Sequence, residues 1–442
     1  MLKRLFDPND TTGAAVKIAE ANFPAPFVSG LEYGAPARGT WNIVHTGMLI
    51  PDAHQVFVCA SNCLRGVVLT AAEMNASHRF STVTIKENNV LEGDMEDLII
   101  EGVSDIINKL AKRPPAVLVY TSCIHHFIGC DLSLCYKELR KRFPDIAFTD
   151  CYMNPIMRKS GLTPDQIMRR QLYSILEPKT INPKSINIIG NNYATDGDSD
   201  IVRLIRKGGY SLKEVPLCNT YEEYQQMAES FLNISYNPAA LAGGEYLKNT
   251  LGQQHIYLPL SYNKDEIRNA MKKLSEVLGI EYKEDKEDER KADYALSKAL
   301  EIIGDAPITI DYTATTRPLS LARLLIEKGF NVERVYADSF SKDDHPDFLW
   351  LRENSPDLDI YATVHVKLRV LPRNYEQKTL AIGQKAAYFT GTANFVNIVE
   401  GGGYYGFSGI EKLAKLMVEA FIEEKDTRCL IQQKGLGCES CI

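Results

Sequence analysis

The sequence has no cysteine between Cys218 and Cys429, although it holds ten in all. It has no G-x-x-x-x-G-K-[ST] element, and so no phosphate-cradling loop for ATP of that kind. If the reaction uses ATP, a separate protein hydrolyses it. No apolar run reaches the ~18 residues of a membrane span. The start, Met1-Leu-Lys-Arg-Leu-Phe-Asp7, lacks the apolar centre of a signal peptide. The net charge is -7 and the charges are interspersed, with no long basic stretch to track phosphates. No short-period repeat occurs. These absences predict a cytoplasmic protein that partners neither membrane nor nucleic acid.

What is present is an ordinary globular mixture, 45% hydrophobic and 24% charged, long enough for about three domains. Without a secretion signal, ten cysteines in so large a chain point to metal binding or catalysis rather than disulfides. Cys59 and Cys63 form one pair. Cys123, Cys130, Cys135 and Cys151 form a second group, and Cys429, Cys438 and Cys441 lie in the tail. The first third is therefore where a metal site is expected.

Strand-length apolar runs alternate with helical patterns. Ala116–Tyr120 reads as a buried strand. Before it, Leu98, Ile99, Val103, Ile106, Ile107 and Leu110 share one helical face. A helix over 132–143 and a strand over 146–149 follow. A second unit starts at Ile186–Ile189. Its helix runs over about 198–207 and stops at Gly208-Gly209. Thr220 and Glu223 predict a capped helix reaching Leu232. A third unit has strands at 308–312 and 332–336 with a helix over 318–328. The charged stretch Lys264–Lys298 reads as a pair of solvated helices. Such alternation predicts an α/β protein of three Rossmann-like units with parallel sheets flanked by helices, divided at about 1–178, 179–285 and 286–442.

In parallel sheets ligands bind beyond the carboxyl ends of the strands. Cys123 follows the strand 116–120, and Cys59 follows the run Gln55-Val-Phe-Val58. Cys59 also precedes a helix from Asn62 onward, whose first N–H groups favour thiolate and an anionic cluster. Thiolates suit iron–sulfur clusters and zinc alike. Two small apolar side chains buried in a core remain the other reading.

The segments Gly30-Leu-Glu-Tyr-Gly-Ala-Pro-Ala-Arg-Gly-Thr-Trp41, Val56-Phe-Val-Cys59 and Thr121-Ser-Cys-Ile-His-His-Phe-Ile-Gly-Cys-Asp-Leu132 resemble the component 1 family of nitrogenase. The resemblance continues through Asp150-Cys-Tyr-Met-Asn-Pro155, a helix over 241–252 and Gly402-Gly-Tyr-Tyr-Gly-Phe-Ser-Gly409. It implies an iron–sulfur cluster at a subunit interface, fed by an ATP-hydrolysing iron protein. Of the family's three cysteine places, the first is Leu31 here, while Cys59 and Cys123 match the second and third. Two identical chains would then supply four thiolates around one [4Fe-4S] cluster, and a related second chain would do the same in a heterodimer. Cys63, one helical turn beyond Cys59, is a further candidate ligand. Cys130 stands where the family often has an acidic residue, and is either a ligand or a core cysteine.

The cofactor ligands of nitrogenase itself fall at about Gly244 and at Tyr405. The resemblance therefore implies a nitrogenase-like reductase of an organic small molecule, without the molybdenum cofactor. Tyr405 would face the substrate in a cavity between the three units. His125 and His126 are candidate proton relays, or simply one buried and one exposed side chain. Gly401–Gly406 matches G-x-G-x-x-G, but no full β-α-β unit follows it. Glycine there reads better as a loop approaching a cavity. Cys438-Glu-Ser-Cys441 cannot fill a metal site alone. Arg38 and Arg65 either neutralise cluster charge or form surface ion pairs. Two rival readings are a scaffold on which a metal cofactor is assembled and a nicotinamide-dependent Rossmann protein.

Overall fold

A computed structural model describes residues 7, 9–30, 32–35, 37, 42–154, 161–281, 286–373 and 377–430. Leu31, Arg38, Trp41, Pro155, Cys438 and Cys441 lie outside these. The chain forms two compact units. One comprises Trp41–Ala194 and Gly209–Leu258, and the other Met1–Thr40, Thr195–Gly208 and Pro259–Ile442.

The first strand, β1 (Ala15–Lys17), joins the last of three sheets. The first sheet contains β2 (His54–Ala60), β3 (Phe80–Ile85), β4 (Ala116–Ser122) and β5 (Ala147–Met153), all parallel, in the order β3-β2-β4-β5. The second contains β6 (Asn182–Ile188), β7 (Ser211–Lys213), β8 (Ser230–Ser235) and β9 (Gln254–Tyr257), parallel, in the order β7-β6-β8-β9. Both lie in the unit that starts at Trp41. The third contains β10 (Ile308–Asp311), β11 (Val332–Tyr336), β12 (Asp359–Tyr361), β13 (Leu380–Ile382) and β14 (Phe395–Val396). Its order is β1-β12-β11-β10-β13-β14, with only β1 antiparallel.

Each sheet has the doubly wound topology, because the strand order reverses beside its first parallel strand. The alternation of Val56, Val58, Val117 and Val119 on one face with Phe57, Cys59, Leu118 and Tyr120 on the other builds a core on each side of the first sheet. The helix Met95–Lys109 covers the valine face with Ile99, Val103 and Ile107.

Three local expectations need correction. The helix capped by Thr220 runs only over Tyr221–Gln225, and Ser230–Ser235 is strand β8. Parallel pairing of Leu232 and Ile234 with β6 overrides the local cap. The helices Lys264–Leu278 and Lys286–Ile303 are amphipathic rather than solvated. The second buries Ala292, Leu296, Ala299 and Ile303 in the core of the third sheet. Cys59 lies inside β2, one residue before its end, rather than after it.

Gly406 opens the long helix Gly406–Ile422 at φ +81°, and a Cβ there would meet the Asp200 carboxylate at 2.3 Å. That carboxylate accepts from the Phe407 N–H at 2.7 Å and the Ser408 hydroxyl at 2.8 Å, so it caps the helix from a distant segment. Gly406→Ala therefore meets both backbone strain and a displaced cap. We expect it to cost about 1–3 kcal/mol, measured by urea unfolding. An unchanged midpoint would contradict this account of the cap.

Candidate metal centre

Cys59 is the penultimate residue of β2, and Cys123 opens the helix that directly follows the neighbouring strand β4. The last β2–β4 pair in register is Val58 with Thr121, so the next residues along each strand lead to Cys59 and Cys123. These two strands flank the place where the strand order reverses, the crevice in which open α/β sheets bind ligands. Cys63 stands in the first turn of the helix Ser61–Glu73, which begins directly after β2. Burial pushes the Cys59 thiol up to about 12, and the neighbouring Cys63 and Cys123 add to the effect. The Ser122 side chain hydrogen-bonds to Cys59 and opposes it. Cys59 is fully buried, Cys123 half-buried and Cys63 exposed, so the group opens to the surface on one side.

The other two switch points are occupied by the chain's own groups. After β6, Gly190 packs on Ala240 and its N–H donates to the Tyr173 hydroxyl at 2.8 Å. At the end of β10, the buried Asp311 carboxylate accepts from the Thr313 and Ala386 N–H groups, each at 2.7 Å. Among the described residues no three His, Cys, Asp or Glu side chains converge on a single ion. A set of soft thiols open to the surface fits a multi-iron cluster shared with another chain better than it fits one enclosed ion.

The chain belongs to the nitrogenase component 1 type oxidoreductase family. The family model matches residues 44–422. In the solved structures, nitrogenase Cp1 at pH 6.5 has the same fold, with a TM-score of 0.64 at 15% identity, covering 89% of this chain and 94% of that one. Nitrogenase Cp1 at pH 5 gives a TM-score of 0.57 at 13% identity, covering 93% of this chain and 94% of that one. No curated protein matches the sequence. The family is one of iron–sulfur oxidoreductases. Among the described residues no helix is long and apolar enough to cross a membrane.

Within this family fold the remaining candidates fall in different surroundings. His125 is buried and His126 exposed. His125 Nδ1 accepts the Ser122 N–H at 3.1 Å, closing the cap of the helix Cys123–Phe127. Its Nε2 is buried without a partner, and burial lowers its pKa, so the ring is neutral. Cys130 is not gathered with Cys59 and Cys123. It lies with Cys135 and Glu96 against the valine face of the sheet, opposite Cys59. Cys151 is buried in the core, and Cys218 donates to the Glu214 carbonyl. Arg65 is exposed.

Gly244 lies in the helix Leu241–Leu251, and a Cβ there would strike the His255 ring at 2.3 Å. His255 is held by Ser235, whose Oγ is 2.8 Å from Nε2. Sequence reasoning missed His255, because only strand pairing brings it beneath the helix. Tyr405 is buried. Burial raises its pKa well above the usual phenol value, and the carboxylates of Asp200 and Glu266 push the same way. The adjacent Tyr404 lines a small pocket with Leu260, Tyr262, Ile398 and Gly401.

Proposed function

We propose that this chain is the catalytic iron–sulfur component of a nitrogenase-like two-component reductase, supplied with electrons by an ATP-hydrolysing iron protein and reducing an organic small molecule. The observation that carries this reading is the gathering of Cys59, Cys123 and Cys63 at an open switch point. Cys59 and Cys123 would hold a [4Fe-4S] cluster with the same pair from a second copy or a related chain, and Cys63 is the additional thiol within reach. When bound, the cluster supplies one-electron transfer. Phe127 and Ile128, exposed one turn beyond Cys123, give the site an apolar rim that a second chain would cover. His125, neutral and with its ring proton on the unpartnered Nε2, is placed to donate from that N–H beside Cys123.

A true nitrogenase is disfavoured by the cofactor-ligand positions. The His255 ring occupies the space a thiol at Gly244 would need. Tyr405 offers a phenol, which its surroundings keep protonated. It can donate a hydrogen bond but is a poor ligand for a soft metal.

The test is anaerobic purification, metal analysis and turnover with an ATP-hydrolysing iron protein. We expect brown protein with about four irons per pair of chains, and oxidation of the reduced protein when an organic substrate is added. Tyr405→Phe should slow turnover and leave iron unchanged. Iron-loaded protein that never accepts electrons from the iron protein would favour an assembly scaffold. Molybdenum or vanadium in stoichiometric amount would overturn the reading of the cofactor positions.

A further inference from the structure

We infer that Cys130 and Cys135 form a second redox site, a dithiol that low-molecular-weight disulfides convert to an intramolecular disulfide. The two residues sit at the start of the helix Leu132–Arg142. Cys130 lies just before its N-cap Asp131 and Cys135 in its first turn. The Asp131 carbonyl accepts the Cys135 N–H at 3.3 Å, and the Cys130 carbonyl accepts the Leu132 N–H at 3.0 Å. This turn folds the two side chains onto one another, and each thiol interacts with the other.

Glu96 completes the site from a different helix. Its carboxylate accepts the Asp131 N–H at 2.7 Å and also the Cys130 thiol. Its backbone carbonyl lies 3.8 Å from Cys135 Sγ. Cys130 is half-buried and Cys135 has no exposure, so an incoming reagent reaches Cys130 first. The group lies across the sheet from Cys59.

The chemistry balances in two exchanges. Cys130 gives its proton to Glu96, and its sulfur attacks one sulfur of the small disulfide. One small thiol leaves with that proton. Cys135 then attacks the Cys130 sulfur, and its own proton leaves with the second small thiol. The protein loses two hydrogens, and one small disulfide becomes two thiols. Burial pushes the Cys130 and Cys135 thiols up to about 12 and about 11, with Glu96 adding to both. Such surroundings penalise the thiolates of the reduced form and leave the neutral disulfide untouched. Attack by Cys130 is therefore slow to start.

The experiment exposes the anaerobically purified, iron-loaded protein to oxidised glutathione. It is followed by alkylation and peptide mapping without reductant, using a protease that cuts after Phe127. We expect Cys130 and Cys135 to lose alkylation together and to appear as one linked species lacking two hydrogens, with iron content unchanged. In Cys135→Ser, Cys130 should instead retain glutathione as a stable mixed disulfide. Both thiols alkylated in full, a stable glutathione adduct on Cys130 of the unsubstituted protein, or a link from either cysteine to Cys123 would each overturn the inference.

Discussion

Replacing Cys59 or Cys123 by alanine should give a folded, colourless protein. Even outer-shell partners of a metal ligand cost about 10–100-fold in affinity when removed. Loss of a ligand should therefore lower bound iron by about tenfold or more. The structural cost is small by comparison. Cys59 is fully buried beside Phe57 and Leu64, and trimming its sulfur leaves a small cavity worth roughly 1 kcal/mol. Serine at either position should fare no better, because a neutral hydroxyl is a hard and weakly acidic ligand. Cys63→Ala should lose less iron, as the residue is exposed in the first turn of its helix. Cys218→Ala, distant in role and bonded to Glu214, serves as the control and should keep its iron. Iron retained in full by both Cys59→Ala and Cys123→Ala would remove the site from consideration, whatever the colour of the protein.

Replacing Arg317 by glutamine should give the largest loss of stability in the unit that carries the third sheet. Arg317 is 2% exposed and precedes the helix Pro318–Glu327. Its Nε donates to Asp344 at 3.0 Å and its Nη2 to Asp347 at 2.7 Å, while Nη1 reaches the Leu260 carbonyl and Glu266, each at 3.2 Å. Both aspartates are buried. Removing the cation leaves Asp344 without a cation and Asp347 with Arg323 alone, at 3.3 Å, a change that costs about 3–5 kcal/mol. The loss should depend on pH. Burial pushes Asp344 up to about 7 even with Arg317 beside it. An acid raised in the folded state contributes its stability in full below its unfolded pKa and loses it as pH rises through the folded value. Without Arg317 the folded protein must hold these protons to higher pH still. The deficit should be larger at pH 8 than at pH 5, measured by urea unfolding of the two proteins in parallel. A deficit within about 1 kcal/mol at both pH values, the range of an ordinary surface change, would show that the ion network is dispensable.

Much of the architecture was legible because its signals are local. Val332–Tyr336 is a strand bounded as its apolar run suggests, and the helix Asp200–Lys207 stops where Gly208 and Gly209 stand. The helix reading through Leu232 failed because a capping box is worth less than two strands of pairing. Ser230–Ser235 gains β6 and β9 as neighbours, which no window of the sequence contains. The charged helices misled for a related reason. Their alanines and leucines are sparse, but they fall on one face that the third sheet buries.

The sequence alone determined the alternation of strands and helices, the family motifs and the identity of the thiols, because these are carried by residue type and short spacing. Only the tertiary structure decided that β2 and β4 are neighbours, which brings Cys59 and Cys123 to adjacent strand ends while Cys130 and Cys135 pack on the opposite face. It alone put His255 against Gly244 and Asp200 at the head of the helix from Gly406. The physical reason is the same in each case. Side-chain chemistry is written along the chain, but which side chains meet is set by pairing and burial between segments far apart in it, and those contacts exist only once the sheets have formed.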